Sequence, residues 1–221
     1  MGMPNTLQDL KVAAELDRMY AESKQQMSKL RELGAGLGRP MTAQERTEAL
    51  SEFYIPVTPE AGRLLYSLVR ATRPATVVEF GMSFGISAIH LASAVRDNGT
   101  GRVVTTELSE TKIAAAKQTF AKTGLDDVIT ILEGDALATL ADLDGPVDFV
   151  LLDGWKDLYL PVIRLLEPRL SAGVLVVADN ASAPDMKPYL DHVRSPDNGY
   201  ESFNFLVREQ DSMEVSCRTA D

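Results

Sequence analysis

The sequence has few of the residues that build disulfides and nitrogen- or sulfur-rich metal sites. Among its 221 residues there are one cysteine, Cys217, and two histidines, His90 and His192. A lone cysteine cannot form an internal disulfide, which fits a reducing cytoplasmic compartment. With so few histidine and cysteine side chains, any bound metal is expected to use oxygen ligands.

Long apolar runs and a surplus of basic residues are lacking as well. No apolar run reaches the roughly 18 residues of a membrane-spanning helix, and the first residues lack a signal-peptide pattern, so neither a membrane nor export is expected. Asp and Glu outnumber Lys and Arg by 32 to 22, for a formal net charge of -10. Because nucleic-acid affinity comes from Lys and Arg that displace counterions, no nucleic-acid partner is expected.

The remaining composition is that of an ordinary globular protein, with 45% hydrophobic and 24% charged residues. This length suits one compact unit with a few added elements. Helical patterns run from Thr6 to Leu33 and from Thr42 to Leu50, separated by a glycine-rich loop, Gly34 to Pro40. Residues 1–57 hold too little apolar surface for a core of their own. They are expected to form a lid or an oligomer contact, for example in a homodimer, while residues 58–221 form the main domain.

Beyond Thr58, short β-branched runs alternate with helical segments. This alternation predicts an α/β fold, in which a mostly parallel sheet carries helices on both faces. The predicted strands are Thr76 to Phe80, Arg102 to Thr106, Val128 to Leu132, Val147 to Leu152, Gly173 to Ala178, Tyr200 to Val207 and Ser212 to Arg218. The predicted helices between them are Ile86 to Val95, Glu110 to Lys122, Ala136 to Leu143 and Lys156 to Leu166.

Polar residues and glycines follow the first five predicted strands, where ligands bind in open parallel sheets. In chain order they are Gly81 to Gly85, Glu107, Gly134-Asp135, Asp153 and Asp179-Asn180. The glycines alone can serve a tight turn, and Glu107 alone can be a solvated loop acid. Together, the glycines and Glu107 fit an adenosine cofactor, because an acid at the end of the second strand can accept hydrogen bonds from the ribose hydroxyls. A nicotinamide-dependent oxidoreductase remains open at this point.

A second set of residues suits a hard cation. Asp153, Asp179 and Asn180 provide two carboxylates and an amide carbonyl, the oxygen ligands that Mg²⁺ prefers and that Mn²⁺ or Ca²⁺ can also use. The alternative is that Asp153 and Asp179 cap the helices that follow them. Because the two clusters follow neighbouring strands, the sequence favours a metal site.

The stretch Asp153 to Pro161, together with Ala178-Asp179-Asn180 and Asp191 to Arg194, resembles catechol O-methyltransferase and its bacterial relatives. The resemblance extends from about Phe53 to Met213. It implies a Rossmann-like methyltransferase fold with seven strands in the order 3-2-1-4-5-7-6, the last antiparallel. It also implies methyl transfer from S-adenosylmethionine to a hydroxyl of a catechol-like or other phenolic small molecule, with Mg²⁺.

The resemblance assigns roles to individual residues. The cofactor-binding positions are Val57, Thr58, Glu79, Gly81, Ser83, Gly85, Ser87, Glu107, Leu108, Gly134, Asp135, Ala136, Asp153 and Trp155. The metal ligands are Asp153, Asp179 and Asn180. The substrate-contacting positions are Phe53, Ile55, Trp155, Lys156, Asn180 and Pro184. At one position the sequence departs from the family, because Phe205, beside Asn204, stands where the family has a substrate-binding glutamate; the acceptor therefore stays open.

Lys156 matches the catalytic base of the family. A phenol has a pKa of about 10, so it is a poor nucleophile at neutral pH until its anion is stabilised. A nearby cation would also favour the neutral amine of Lys156, which could then accept the hydroxyl proton. The alternative is that Lys156 is an ordinary solvent-exposed lysine on a helix. A non-catalytic S-adenosylmethionine-binding protein also stays open, whereas an oxidoreductase explains neither Asp179-Asn180 nor Lys156.

Overall fold

A computed structural model of the chain describes residues 5–36, 41–209 and 211–220. Its centre is a seven-stranded sheet in the order β3-β2-β1-β4-β5-β7-β6. The strand β7 pairs antiparallel with both of its neighbours, and the pairs among β1 to β5 are parallel. The strands are β1 Thr76–Phe80, β2 Arg102–Glu107, β3 Ile129–Glu133, β4 Val147–Leu152, β5 Leu170–Ala178, β6 Tyr200–Arg208 and β7 Asp211–Arg218. The predicted fold class and strand order are confirmed.

Helices cover both faces of the sheet. They are α1 Leu10–Gly36, α2 Ala43–Ala49, α3 Pro59–Thr72, α4 Ile86–Asn98, α5 Glu110–Thr123, α6 Ala136–Thr139, α7 Tyr159–Leu166 and α8 Lys187–Val193. Two of them show how the sequence sets their ends. At α3, the Thr58 hydroxyl accepts a hydrogen bond from Ala61 N at 3.1 Å and Pro59 occupies the first turn. At α5, Ser109 caps the start and Gly124 ends the helix in the left-handed conformation.

Two hydrophobic clusters lie on opposite faces of the sheet. One includes residues of α3, α4 and α5, and the other includes residues of α6, α7 and α8. Helix α1 adds Val12, Leu16 and Met19 to the first cluster. These three side chains are at most 7% exposed, so α1 packs into the same hydrophobic core as α3, α4, α5 and this face of the sheet.

Several predicted boundaries differ from the structure. Helix α1 continues to Gly36, so the first part of the predicted loop Gly34 to Pro40 is helical; residues 37–40 lie outside the described residues. The helix predicted over Ala136 to Leu143 is wrong beyond Thr139, because the chain turns there and Leu143 N bonds to Leu140 O. Strand β5 begins at Leu170, earlier than predicted. Within the described part of the chain, no helix has the length and apolar character needed to span a membrane.

Candidate active site

The ends of β1 and β4 meet at two glycines. A Cβ on Gly81 would lie 2.5 Å from Gly154 Cα, and one on Gly154 would lie 2.5 Å from the Phe80 ring. Gly81 also has a φ of +96°, which L side chains rarely adopt. This close approach brings the loop after β1 against the loop that carries Asp153 and Lys156.

Glu107, at the end of β2, binds the backbone of the glycine loop. Its Oε2 accepts a hydrogen bond from Ser83 N at 2.8 Å, and its Oε1 accepts from the N–H groups of Leu108 and Ser109, both at 2.8 Å. Ser83 itself has a φ of +51°. The carboxylate therefore links the first two strand ends and still has capacity for a further donor, since it can accept about four hydrogen bonds.

Glu79 is fully buried beneath the same loop. Its Oε2 accepts a hydrogen bond from the Thr105 hydroxyl at 2.5 Å, while its Oε1 makes none with any described residue. Burial raises the pKa of Glu79 to about 7; the Ser87 and Thr105 hydroxyls oppose this rise, and the negative charge of Glu107 adds to it. A positive charge placed beside this carboxyl group would lower its pKa, so the group would ionise at neutral pH.

A cavity of about 550 Å³ opens at the carboxyl edge of the sheet. The predicted site residues on its wall are Ile55, Gly81, Ser83, Glu107, Leu108, Gly134, Asp135, Ala136, Asp153, Trp155, Lys156 and Asn180. A smaller recess beside it is lined by Ile55, Ser83, Ser87 and Asp153, among others. Most of the predicted cofactor and substrate positions therefore surround one space, which is large enough for a drug-sized ligand. Of the predicted metal ligands, Asp153 and Asn180 lie on its wall, whereas the buried Asp179 does not.

Other predicted residues lie apart from the cavity wall. Gly85 caps the start of α4 with a φ of +92°, Thr58 caps α3, and Val57 is buried in the core. Phe53 and Pro184 line neither the cavity nor the recess. A turn at Pro184–Met186 packs beside a turn at Lys156–Leu158, which keeps Pro184 near this end of the site.

Asp153 and Asp179 follow two paired residues of neighbouring strands, Leu152 of β4 and Ala178 of β5. The short helical turns after them are capped by Trp155 and Ala183, so neither aspartate occupies the cap position. Asp179 is 2% exposed and Asp153 has a side chain that is 10% exposed. Buried carboxylates are costly unless charges or donors compensate for them.

The donor chemistry at this edge fits a hard cation. No three His, Cys, Asp or Glu side chains within residues 5–36, 41–209 and 211–220 form a group able to hold a metal. A cation here would therefore rest on two carboxylates together with the amide oxygen of Asn180, as the sequence predicts. Oxygen atoms of these types are the ligands that Mg²⁺ and Ca²⁺ prefer.

Lys156 is held by Tyr159, a residue that sequence reasoning did not assign to the site. Lys156 Nζ donates to Tyr159 Oη at 2.8 Å, and that hydroxyl donates to the Asp179 carbonyl at 3.2 Å. Lys156 Nζ also lies 3.7 Å from Asp153 Oδ1. Burial raises the pKa of Tyr159 well above its usual value, with smaller contributions from Asp153, Asp179 and other groups, so the hydroxyl stays protonated. The i, i+3 spacing of Lys156 and Tyr159 could have signalled this contact.

Asp211 is a second residue that sequence reasoning missed. It begins β7 and accepts a hydrogen bond from Asn180 Nδ2 at 2.7 Å. An antiparallel strand begins at the edge where its parallel neighbours end, so an acid at the start of β7 could have been predicted here. Phe205, the departure from the family pattern, instead packs against the hydrophobic core.

The sheet order, the glycine loop and the strand-end acids define a methyltransferase-type α/β protein. A methyltransferase domain family matches residues 78–181. Catechol O-methyltransferase of Sus scrofa is 35% identical over 140 residues, which cover 60% of this chain and 74% of that protein. Catechol O-methyltransferase B of Danio rerio is 31% identical over 177 residues, which cover 75% of this chain and 66% of that protein. The chain belongs to the catechol O-methyltransferase-like family of class I, S-adenosylmethionine-dependent O-methyltransferases.

A solved structure shares the fold at lower sequence identity. The O-methyltransferase TomG from Streptomyces achromogenes, solved in complex with S-adenosylmethionine, superimposes with a TM-score of 0.68 at 21% identity. The match covers 90% of this chain and 99% of that one. Family membership leaves the nicotinamide-dependent oxidoreductase without support.

Proposed function

We propose that the protein transfers the methyl group of S-adenosylmethionine to a hydroxyl of a catechol-like or other phenolic small molecule. A divalent cation and Lys156 would activate that hydroxyl. The observation that carries the proposal is one cavity with Glu107 and the glycine loop on one part of its wall and Asp153, Lys156 and Asn180 on another.

The cofactor would lie along the strand ends. Glu107 would accept a hydrogen bond from a ribose hydroxyl, Gly134 to Ala136 would line the adenine, and Glu79 would face the charged amino-acid end. S-adenosylmethionine supplies an electrophilic methyl group when bound. The chain's contribution is to hold the acceptor oxygen in line with that group, since fixing two reactants at contact distance removes much of the entropic barrier.

Asp153, Asp179 and Asn180 would hold Mg²⁺, or another divalent cation such as Mn²⁺ or Ca²⁺. A bound cation supplies stabilisation of negative charge on the acceptor oxygen. Lys156 Nζ would accept the hydroxyl proton, and Tyr159 keeps that amine in place through the hydrogen bond at 2.8 Å. Ile55 and Trp155 would flank the aromatic ring, with Phe53 and Pro184 farther out.

The N-terminal segment would act as a lid on this site. Helix α2 places Thr47 on the cavity wall, and the same wall includes Thr42, Ala43 and Gln44. Closing a site against water strengthens the electrostatic interactions inside it and prevents side reactions.

A methyl-transfer screen would test the proposal. Purified protein is incubated with S-adenosylmethionine and with catechols, simple phenols or hydroxylated natural-product scaffolds, each with Mg²⁺ or with excess chelator. We expect methylated product with at least one catechol or phenol and loss of turnover on chelation. Unchanged turnover in chelator would rule out the metal role, and failure to bind S-adenosylmethionine would rule out the activity itself.

A further inference from the structure

One arginine joins the short helix α2 to the loop that follows β4. The Arg46 guanidinium lies over the Trp155 ring, with Cζ 4.6 Å from the ring centroid. Its Nη2 lies 2.9 Å from Asp157 Oδ2. The next residue, Thr47, accepts a hydrogen bond from Trp155 Nε1 at 3.3 Å. Two adjacent residues of α2 therefore hold the face and the edge of one indole.

Helix α2 depends on such contacts for its position. It has seven residues, and Thr47 is its one buried side chain. A helix this short is not stable alone, and α2 buries little apolar surface that could dock it. Its N-terminal capping box joins Thr42 to Glu45, so the hydrogen bonds of that box order the helix itself. Leu50, which caps the end of α2, is buried, and the contacts with Trp155 and Asp157 fasten the helix itself to the loop after β4.

These contacts also reach the reacting end of the cavity. Trp155 and Asp157 flank Lys156 in sequence, and both Trp155 and Lys156 line the cavity. Leu108 and Gly134 on the other wall share a neighbouring recess with Gln44 and Thr47 of α2. A displacement of α2 would therefore open the cavity along one side and release the indole at the same time.

We propose that Arg46 is a positioning residue that latches α2 over the cavity through Trp155 and Asp157, so that it slows the escape of a bound adenosine cofactor. The role rests on the proposed function, since it takes that cofactor as the occupant. Arg suits the task because its flat guanidinium stacks on an aromatic face while an N–H group pairs with a carboxylate. Lysine can reproduce the charge but not the stacked, directional arrangement.

Trp155 is the only tryptophan in the chain, so all tryptophan fluorescence comes from the indole that Arg46 covers on the cavity wall. The first measurement is acrylamide quenching of Trp155 in cofactor-free protein, for the parent, Arg46→Ala, Arg46→Lys and Asp157→Asn. The second is the dissociation rate of S-adenosylhomocysteine without metal, followed by stopped-flow fluorescence. Arg63→Ala is the matched control, because it breaks an exposed arginine ion pair with Glu60, 3.5 Å long, outside the cavity wall.

We expect Arg46→Ala to make Trp155 clearly more accessible to quencher and to speed dissociation on the order of tenfold. Asp157→Asn and Arg46→Lys should fall between Arg46→Ala and the parent, and Arg63→Ala should match the parent. Parental quenching and parental dissociation in Arg46→Ala would overturn the latch, as would equal effects of Arg46→Ala and Arg63→Ala. A parent that does not bind S-adenosylhomocysteine would instead sink the proposed function, while quenching would still decide whether Arg46 holds the indole.

Discussion

Asn180 and Asp211 form a hydrogen bond of 2.7 Å between the end of β5 and the start of β7. Asn180 has a left-handed backbone, with a φ of +56°. Since Asp211 uses the amide N–H group, the carbonyl oxygen is the amide atom left for a cation. Partners of metal ligands of this kind commonly matter to affinity almost as much as the ligands do.

Loss of Asp211 should therefore weaken metal binding. We expect Asp211→Ala to lower Mn²⁺ affinity by roughly tenfold to a hundredfold, measured by titration of cofactor-loaded protein. Asp211→Asn removes the negative charge but keeps an oxygen that can accept the hydrogen bond from Asn180. A smaller loss of Mn²⁺ affinity in Asp211→Asn than in Asp211→Ala would therefore show that Asp211 acts by positioning Asn180. Asp191→Ala, on the exposed side of α8, is the control. Parental affinity in Asp211→Ala would show that Asn180 does not need this partner.

Replacing Lys156 should separate chemistry from binding. Lys156→Ala is expected to bind S-adenosylmethionine like the parent and to turn over about a hundredfold more slowly or worse, the usual range for a lost general base. Lys156→Arg retains a positive charge but cannot release a proton at neutral pH, so it should be similarly inactive. Steady-state kinetics together with calorimetry would check this. Substantial turnover by Lys156→Arg would mean that charge, not proton transfer, is the contribution of this residue.

The buried carboxyl of Glu79 should make cofactor binding depend on pH. Its pKa is raised to about 7 in the cofactor-free protein, mainly by burial. The ammonium group of the cofactor favours the ionised carboxylate, so binding below this pKa must release a proton. Affinity should therefore rise between pH 5.5 and 7, by up to about tenfold per pH unit, and then level off. Glu79→Gln should bind more weakly and lose this dependence in calorimetric titrations; a flat profile for the parent would contradict the prediction.

The contact between β1 and β4 can be tested by a pair of glycine substitutions. Gly81 and Gly173 have nearly equal φ values of +96° and +93°, but a Cβ on Gly173 would meet nothing within 4 Å. Both changes to alanine carry backbone strain, and Gly81→Ala adds a clash with Gly154. We expect Gly81→Ala to lower the free energy of unfolding by about 1–3 kcal/mol more than Gly173→Ala does, as measured by urea denaturation. Equal losses of unfolding free energy in the two variants would show that the loops after β1 and β4 can move apart without destabilising the protein.

Much of the fold follows from local sequence patterns. Strands Thr76–Phe80 and Val147–Leu152 have the boundaries predicted from their β-branched runs. The rule that parallel strands carry ligands at their carboxyl ends was enough to group Glu107, Asp153 and Asn180 in one place. Boundaries were less accurate where tertiary packing competes with propensity, as in the early end of α6.

Sequence alone determined the succession of strands along the chain and the acids that follow them, because β-branched runs and turn residues act over a few neighbouring positions. Only the tertiary structure decided that Asp211 accepts a hydrogen bond from Asn180 and that Arg46 stacks on Trp155. Arg46 and its ion-pair partner Asp157 are 111 residues apart, and no periodic pattern links them. Such contacts arise when helices and strands dock, since docking sets which side chains meet and what charge and burial each one experiences.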